Sequence, residues 1–300
     1  MSHTNELQLI ENQGWDERIL VCRNGKLVDT FIVVTERFVV LVDTVINPQT
    51  AVQMLDYARP HLANGRQLLV VNTHADYDHC WGNQLFAGET AVQPAPIIGS
   101  HLSPPKFQQE EAAAYLAKMK ELEPEVFGEV VFTPPTLLIQ DKFVINGGDL
   151  TLELLPTPGH TDDHYSLFIP EIATLLAADA AEMPYPMART PDGLPAMRES
   201  LAKLAALPAE TVLYCHAPVT AGRQLLLDNI AYFNAIEAAC RAAQALPPEL
   251  SDDVDVLTLV DCPWETAVPD TEAWQNVHNY YKTSGHAEQI RAMLHCLARE

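Results

Sequence analysis

Four apolar runs in this chain each lead into a side chain of the kind that binds metals. That repetition restricts the available folds more than any other feature. Leu68–Val71 leads to His74, Leu152–Leu155 leads through Pro156-Thr157-Pro158-Gly159 to His160, Thr174–Ala178 leads to Asp179, and Thr211–Cys215 leads to His216. The first case is the densest, because Asn72-Thr73-His74-Ala75-Asp76-Tyr77-Asp78-His79 sets His74, Asp76, Asp78 and His79 within six residues. A strand that ends in such a cluster aims alternate side chains at one point beyond the sheet edge. Strands lying side by side would bring all four ends to one rim. A lone histidine after a strand is usually structural or at the surface. Four such events beside one dense cluster are not explained that way. Histidine and carboxylate ligands suit zinc, iron or manganese rather than calcium or a thiolate-bound metal.

The 300 residues can bury a large core, in one large domain or two small ones. Hydrophobic residues make up 48%, so the chain reads as globular and soluble. The 18 Lys and Arg residues face 40 Asp and Glu, a net charge of −22. That balance argues against nucleic acid as a partner, since phosphate binding needs a basic surface. Met1–Asp16 is polar and has no apolar signal core, and no run has the length of a membrane span. The six cysteines, at 22, 80, 215, 240, 262 and 296, show no CxxC spacing. A reduced, cytoplasmic protein with no membrane association is expected, acting on a small molecule and able to form a homo-oligomer.

The order of elements favours an α/β layered fold. Residues 31–35 and 38–42 read as strands around a Glu36-Arg37 turn, 48–63 as a helix opened by Pro48, and 68–72 as a buried strand. Residues 103–127 form a helical insertion that either packs on the core or covers a pocket, with Tyr115, Met119 and Leu122 on one face. Strands resume near 130–132, 142–145 and 150–155, and helices cover 198–206 and 221–246. Pro247-Pro248 and Ser251-Asp252-Asp253 mark a break. It divides a main domain, 1–246, from a C-terminal extension, 247–300, packed on the same domain and ending in a helix over 285–298.

The segments THADYDH at 73–79, PTPGHT at 156–161, AADA at 177–180 and YCHAP at 214–218 resemble, in order and separation, those of the metallo-β-lactamase-fold hydrolases. The likeness extends over most of 30–220. It implies an αββα sandwich, a four-layer α+β arrangement, with two divalent metal ions between the sheets. By that resemblance His74 and His160 hold the first metal, Asp78, His79 and His216 hold the second, and Asp179 bridges both. Asp76 departs from the family's usual HxHxDH pattern, in which that position is His. Flavodiiron proteins resemble this chain in placing an acid there, but they also carry a flavodoxin-like domain, for which no length is expected here.

Asp76 is either a ligand of the first metal or not a ligand at all, in which case the first metal is weak or missing. As a ligand it changes the charge. Three aspartates and a hydroxide bring roughly four negative charges against four positive, whereas a His at 76 would leave about +1. A less positive site acidifies its water less than the pKa of about 7 typical of catalytic zinc, and oxygen-rich ligation favours Fe or Mn. For hydrolysis, a hydroxide held by both metals would attack a carbonyl or phosphoryl centre, with Asp78 orienting it as the catalytic carboxylate. Asp43 either supports the ligands from behind or caps a turn.

His164 and His101 each line the pocket or lie at the surface. His278, His286 and His295 are expected in solvent. Cys80 and Cys215 read as small buried neighbours rather than nucleophiles. Tyr77, Trp81, Tyr185 and Met187 are candidate pocket walls, the last two within the unusual Met183-Pro184-Tyr185-Pro186-Met187 stretch. The expected activity is hydrolysis of an ester, lactone or thioester. The alternatives are an iron-dependent redox enzyme, a phosphodiesterase for a small substrate, and a binding protein without turnover. The low basicity disfavours a polyanionic substrate, and the lack of a secretion signal disfavours an antibiotic-degrading enzyme.

Overall fold

β-Branched and aromatic residues dominate Val28–Val34 (VDTFIVV) and Phe38–Val42 (FVVLV), and almost every one is buried. Strands covered on both faces read in this way, as continuous apolar runs. The computed structural model describes residues 3–89, 91–189, 192–243 and 255–299. A seven-stranded sheet runs in chain order: β1 (Leu7–Ile10), β2 (Ile19–Asn24), β3 (Val28–Val34), β4 (Phe38–Val42), β5 (Gln67–Val71), β6 (Ile97–Ser100) and β7 (Leu137–Ile139). Its first four strands are antiparallel, and β4 to β7 are parallel. A five-stranded sheet holds β8 (Phe143–Asn146), β9 (Thr151–Pro156), β10 (Tyr165–Ile169), β11 (Thr174–Ala178) and β12 (Thr211–Tyr214), antiparallel except for the β11–β12 pair.

Alternation along the second sheet decides what covers each face. Leu152, Leu154, Leu167, Leu176 and Leu213 join the first sheet in one apolar cluster. Phe168, Leu175, Ala177, Val212 and Tyr214 point the other way, into a second cluster with the helices α6 (Gly193–Ala205) and α7 (Gly222–Ala242). Helix α1 (Pro48–Ala58) lies against β1 and β4. Its start is fixed by Asn47, whose side chain accepts from the Thr50 amide, and by Pro48 in the first turn. These layers are the sandwich the motifs imply. The helix expected over 48–63 ends at Ala58, because Pro60 has no N–H to continue it, and a 3-10 segment Arg59–Gly65 follows.

The short α2 (Tyr77–Cys80) follows β5. The insertion folds as α3 (Ser103–Lys106), α4 (Glu110–Leu122) and α5 (Pro124–Phe127). The strand expected near 130–132 does not form. The Gln84 side chain bonds the Val131 amide and the Glu129 carbonyl there, so that backbone does not pair, and β7 takes the sheet edge instead. Leu122 is exposed, whereas Met119, expected on the same face, is buried. Helix α6 starts at Gly193 rather than 198.

Among the described residues beyond α7 come four one-turn helices, α8 (Val256–Leu259), α9 (Trp264–Ala267), α10 (Glu272–Gln275) and α11 (Asn279–Lys282), and then α12 (Ser284–Leu297). The expected break at 247–253, and with it the 246/247 boundary, lies outside the described residues. His286, expected in solvent, is buried: it accepts from the Tyr232 hydroxyl at 2.9 Å and donates to the Cys262 carbonyl at 2.7 Å, fastening α12 to α7. Among the described residues no helix is long and apolar enough to cross a membrane.

Candidate metal centre

The site forms where the strands stop. β4 and β5 run parallel, so their carboxyl ends, carrying Asp43 and the 72–79 segment, share one edge. β11 and β12 do the same for Asp179 and His216 across the sandwich. Two sharp turns aim these ends. Asp43 takes φ 68, and Ala178, beside a register shift in β11, takes φ 48. Both lie in the left-handed region that ordinary residues rarely occupy, and such strain collects at functional sites. His160 is delivered by the 156–161 loop, which passes so close to α6 that a Cβ on Gly159 (φ 147) would meet the Met197 backbone at 2.3 Å.

Asp179 is the centre of the cluster. Its Oδ2 lies 3.2 Å from His79 Nε2, 3.3 Å from His216 Nε2, 3.6 Å from His74 Nε2 and 3.7 Å from His160 Nε2. Asp78 Oδ2 lies 3.4 Å from His216 Nε2 and 3.9 Å from His79 Nε2. Three groups of potential ligands result, His74–His160–Asp179, Asp78–His79–His216 and Asp43–His79–Cys215; in the third, Asp43 is already bonded to His79 Nδ1 and the Thr73 amide, which leaves the first two as the candidate sites. Ligands about 2.0–2.2 Å from a shared tetrahedral ion stand roughly 3.3–3.6 Å apart, which is close to the spacing seen. The cluster also contains buried polar atoms without hydrogen-bond partners: His74 Nε2, His79 Nε2 and Asp179 Oδ1. Buried polar atoms are nearly always satisfied, and a cation between them would satisfy these. The residues therefore fit two divalent metal ions.

Contacts behind the ligands fix which ring nitrogen faces inward. His79 Nδ1 donates to Asp43 at 2.8 Å, and His216 Nδ1 donates to the Leu27 carbonyl at 2.7 Å. Asp43 also accepts from the Thr73 amide at 2.7 Å and hydroxyl at 2.9 Å, and His74 Nδ1 lies 3.0 Å from that hydroxyl. Asp43 thus holds His79 directly and His74 through Thr73, and its turn is the means of reaching them. The Leu27 carbonyl belongs to the tight turn between β2 and β3. The same hairpin bonds Cys215 through the Asp29 amide at 2.8 Å.

The field around the cluster attracts positive charge. Burial opposes a charge on His79, but Asp179, Asp43 and Asp78 together push its pKa well up. Burial likewise opposes His216, which Asp179 and Asp78 nevertheless raise to about 10. Asp179 is held well below the usual carboxylate range by His216 and His79 despite its burial. The field that favours protons on these imidazoles would equally favour divalent cations between them.

Asp76 sits beside the first group, its Oδ2 3.3 Å from His160 Nε2 and 3.8 Å from His74 Nε2. The same oxygen is 2.5 Å from Arg189 Nη2. Glu182 Oε1 faces His160 Nδ1 at 3.5 Å, and burial together with Asp179 raises that carboxyl to about 7. Sequence reasoning missed both Arg189 and Glu182. Glu182 carries a weak signal, since it stands three residues past Asp179; Arg189 carries none.

Two cavities meet at the cluster. One, of about 770 Å³, is walled by Tyr77, Trp81, Phe107, Tyr115 and Phe132 and reaches His160. Part of this wall is the insertion, because Tyr115 of α4 packs edge-on against Tyr77. The other cavity, of about 650 Å³, borders Asp78, Asp179 and His216, with Met187 and Tyr281 among its walls. Of the candidate wall residues, Tyr77 and Trp81 line the first cavity and Met187 the second.

His164 and Tyr185 do not. His164 is buried behind the site. It accepts from the Asp179 amide at 3.1 Å and donates to Thr157 Oγ1 at 2.8 Å, which holds the strained turn before the central carboxylate. Burial and the neighbouring His74 depress its pKa well below 6.5, in keeping with that neutral role. Tyr185 is core: it stacks on Tyr232 with centroids 4.4 Å apart and donates to the Tyr281 carbonyl at 2.8 Å. His101 is exposed. Cys80 and Cys215 are buried, with their thiols pushed up by that burial.

Residues 23–216 match the sequence profile described as the Metallo-beta-lactamase superfamily. A hydroxyacylglutathione hydrolase from Hahella chejuensis is 31% identical over 201 residues, 65% of this chain and 59% of that one. One from Rhodopseudomonas palustris is 38% identical over 108 residues, 36% of this chain and 40% of that one. The chain thus spans about half the length of these curated relatives. Among solved structures, a metallo-beta-lactamase family protein from Thermus thermophilus superposes with a TM-score of 0.58 at 20% identity, covering 98% of this chain and 93% of its own. A stereoselective inverting sec-alkylsulfatase from Pseudomonas sp. gives 0.62 at 16% identity, covering 94% of this chain and 49% of its own. Fold, ligand cluster and profile agree: the chain belongs to the metallo-beta-lactamase superfamily.

Proposed function

We propose that this chain is a metal-dependent hydrolase of small acyl compounds, cleaving a thioester, ester or lactone. The observation that carries the reading is the convergence of four imidazole Nε2 atoms on the buried Asp179 carboxylate, at the junction of a cavity with an aromatic wall and a second one bordered by Asp78 and His216. His74 and His160 would hold one ion, Asp78, His79 and His216 the other, and Asp179 both. Asp76 would complete the first set. Bound divalent cations would supply a nucleophilic water at neutral pH and polarise the scissile carbonyl.

The chain's own residues do the rest. Asp78 presents a carboxylate oxygen 3.4 Å from His216 Nε2 at the border of the second cavity, where it can orient the attacking water. Asp43 and the Leu27 carbonyl hold the two imidazoles that must not rotate. Tyr77, Trp81 and Tyr115 exclude water from one side and suit an apolar acyl group. The relatives' name, hydroxyacylglutathione hydrolase, puts a thioester first among the candidate substrates. The three aspartates make the centre oxygen-rich, which supports loading with Fe or Mn as well as Zn.

The test is metal quantification of the purified protein, followed by rates on a panel of thioesters, esters, lactones and phosphodiesters before and after chelation. The expected outcome is two metal equivalents and a chelator-sensitive rate on at least one acyl substrate. A protein that binds two metals yet turns over only phosphodiesters, or consumes oxygen instead, overturns the acyl-hydrolase reading.

A further inference from the structure

Where Asp76 replaces a neutral ligand it adds one negative charge to the centre, and the structure places one positive charge directly on it. Arg189 Nη2 lies 2.5 Å from Asp76 Oδ2, the oxygen that also faces His160 and His74. The arginine is tied to the site at a second point, because its backbone amide donates to the His160 carbonyl at 3.2 Å. Two other cations that line these cavities are paired elsewhere. Lys106 pairs with Asp162 at 2.6 Å, and Arg23 pairs with Asp29 at 2.6 Å. Among the described residues, Arg189 is the only Lys or Arg in ion-pair contact with any of the ligand-type side chains of the cluster. Arginine keeps its charge at any working pH, so the compensation is permanent.

We propose that Arg189 is a positioning residue of the metal centre, and that Asp76 and Arg189 together replace one neutral histidine. The pair restores the net charge that Asp76 alone would remove. The guanidinium also competes with the first metal for Asp76 Oδ2, and so sets how tightly that metal is held. Arg189 lines both cavities, so this control sits where a substrate enters. The proposal rests on the metal-centre reading above.

The experiment is a titration of the metal-free protein with Zn²⁺ against a chromophoric chelator, for the unaltered chain and for Arg189→Gln, Arg189→Lys, Asp76→His and the double variant Asp76→His/Arg189→Gln. Co²⁺ spectra of each report the coordination of the first site. Arg189→Gln should bind the first-site ion about tenfold tighter or more, because a repelling charge and a competitor for Asp76 are both gone, and its Co²⁺ bands should change. Arg189→Lys should stay close to the unaltered chain. Asp76→His leaves Arg189 unpaired beside the ions and should bind about tenfold more weakly; the double variant should recover most of that loss.

Unchanged affinity and spectrum in Arg189→Gln, or a double variant no better than Asp76→His, overturns the inference while leaving the metal centre standing. Failure of the unaltered chain to take up Zn²⁺ at all overturns the centre itself. Arg189 is largely exposed, with 59% of its side chain accessible, so its variants are expected to fold, and far-UV circular dichroism checks this.

Discussion

The two halves of the cluster are held in different ways. Around Asp78, His79 and His216, every outward ring nitrogen ends on an acceptor of the main fold: a wholly buried carboxylate on β4's end for His79, and a backbone carbonyl for His216. Around His74, Asp76 and His160, the supports are softer. A threonine hydroxyl backs His74, Glu182 faces His160 at 3.5 Å without a hydrogen bond, and an exposed arginine shares Asp76. The first arrangement is preorganised by the end of β4 and by the tight β2–β3 turn, neither of which can move without disturbing the first sheet. The second is adjustable, because its partners are side chains on loops.

The sharpest way to break this contrast is at the residue common to both halves. Asp179→Asn should lower kcat on the order of 10³-fold and reduce bound metal below two equivalents. Retention of two tight metals, measured by elemental analysis, would show that Asp179 does not bridge the halves. Next comes the rigid side. Asp43→Asn should weaken metal binding by about 10–100-fold, as loss of a ligand's support typically does, while Glu182→Gln on the softer side should cost less than about tenfold. Equal losses in chelator competition would erase the distinction.

The pH dependence of the metal-free protein should follow with a smaller effect. Glu182 is raised to about 7 from 4.5 and His216 to about 10 from 6.5. A group whose pKa is raised in the fold stabilises it fully below the unfolded value and loses that contribution as pH passes the folded value. Melting temperature without metal should therefore fall from about pH 4.5 to 7 through Glu182, and from about 6.5 to 10 through His216. A metal-free melting curve that rises over the upper window contradicts that charge assignment. Smallest is Trp81→Ala, expected to raise KM several-fold for an acyl substrate with an apolar group and to leave metal content unchanged, as steady-state kinetics would show.

The candidate cluster was legible because its members follow closely on strand ends, where apolar run and polar terminus are adjacent in sequence. The layers followed from the motif resemblance rather than from periodicity, since strands buried on both faces, such as β3 and β4, show no alternation to read. What could not be read depends on contacts between distant segments. His164 looks like a rim residue because it follows His160 by four, yet β10 carries it behind Asp179. His286 looks solvated in sequence, but Tyr232 and Cys262 enclose it. Arg189 meets Asp76 across 113 positions of sequence, and no local pattern encodes such a meeting.

The turn between β2 and β3 has a consequence for how the centre can be watched. Leu27 offers its carbonyl to His216 while the Asp29 amide bonds the Cys215 carbonyl. One tight turn near the start of the chain therefore latches the last ligand-bearing strand end. The Asp29 amide proton becomes a sentinel: it is protected from deuterium only while the latch is shut. Its exchange rate should slow when His216 is loaded and quicken when that imidazole is replaced, giving a readout of the second site that needs neither a substrate nor a colour.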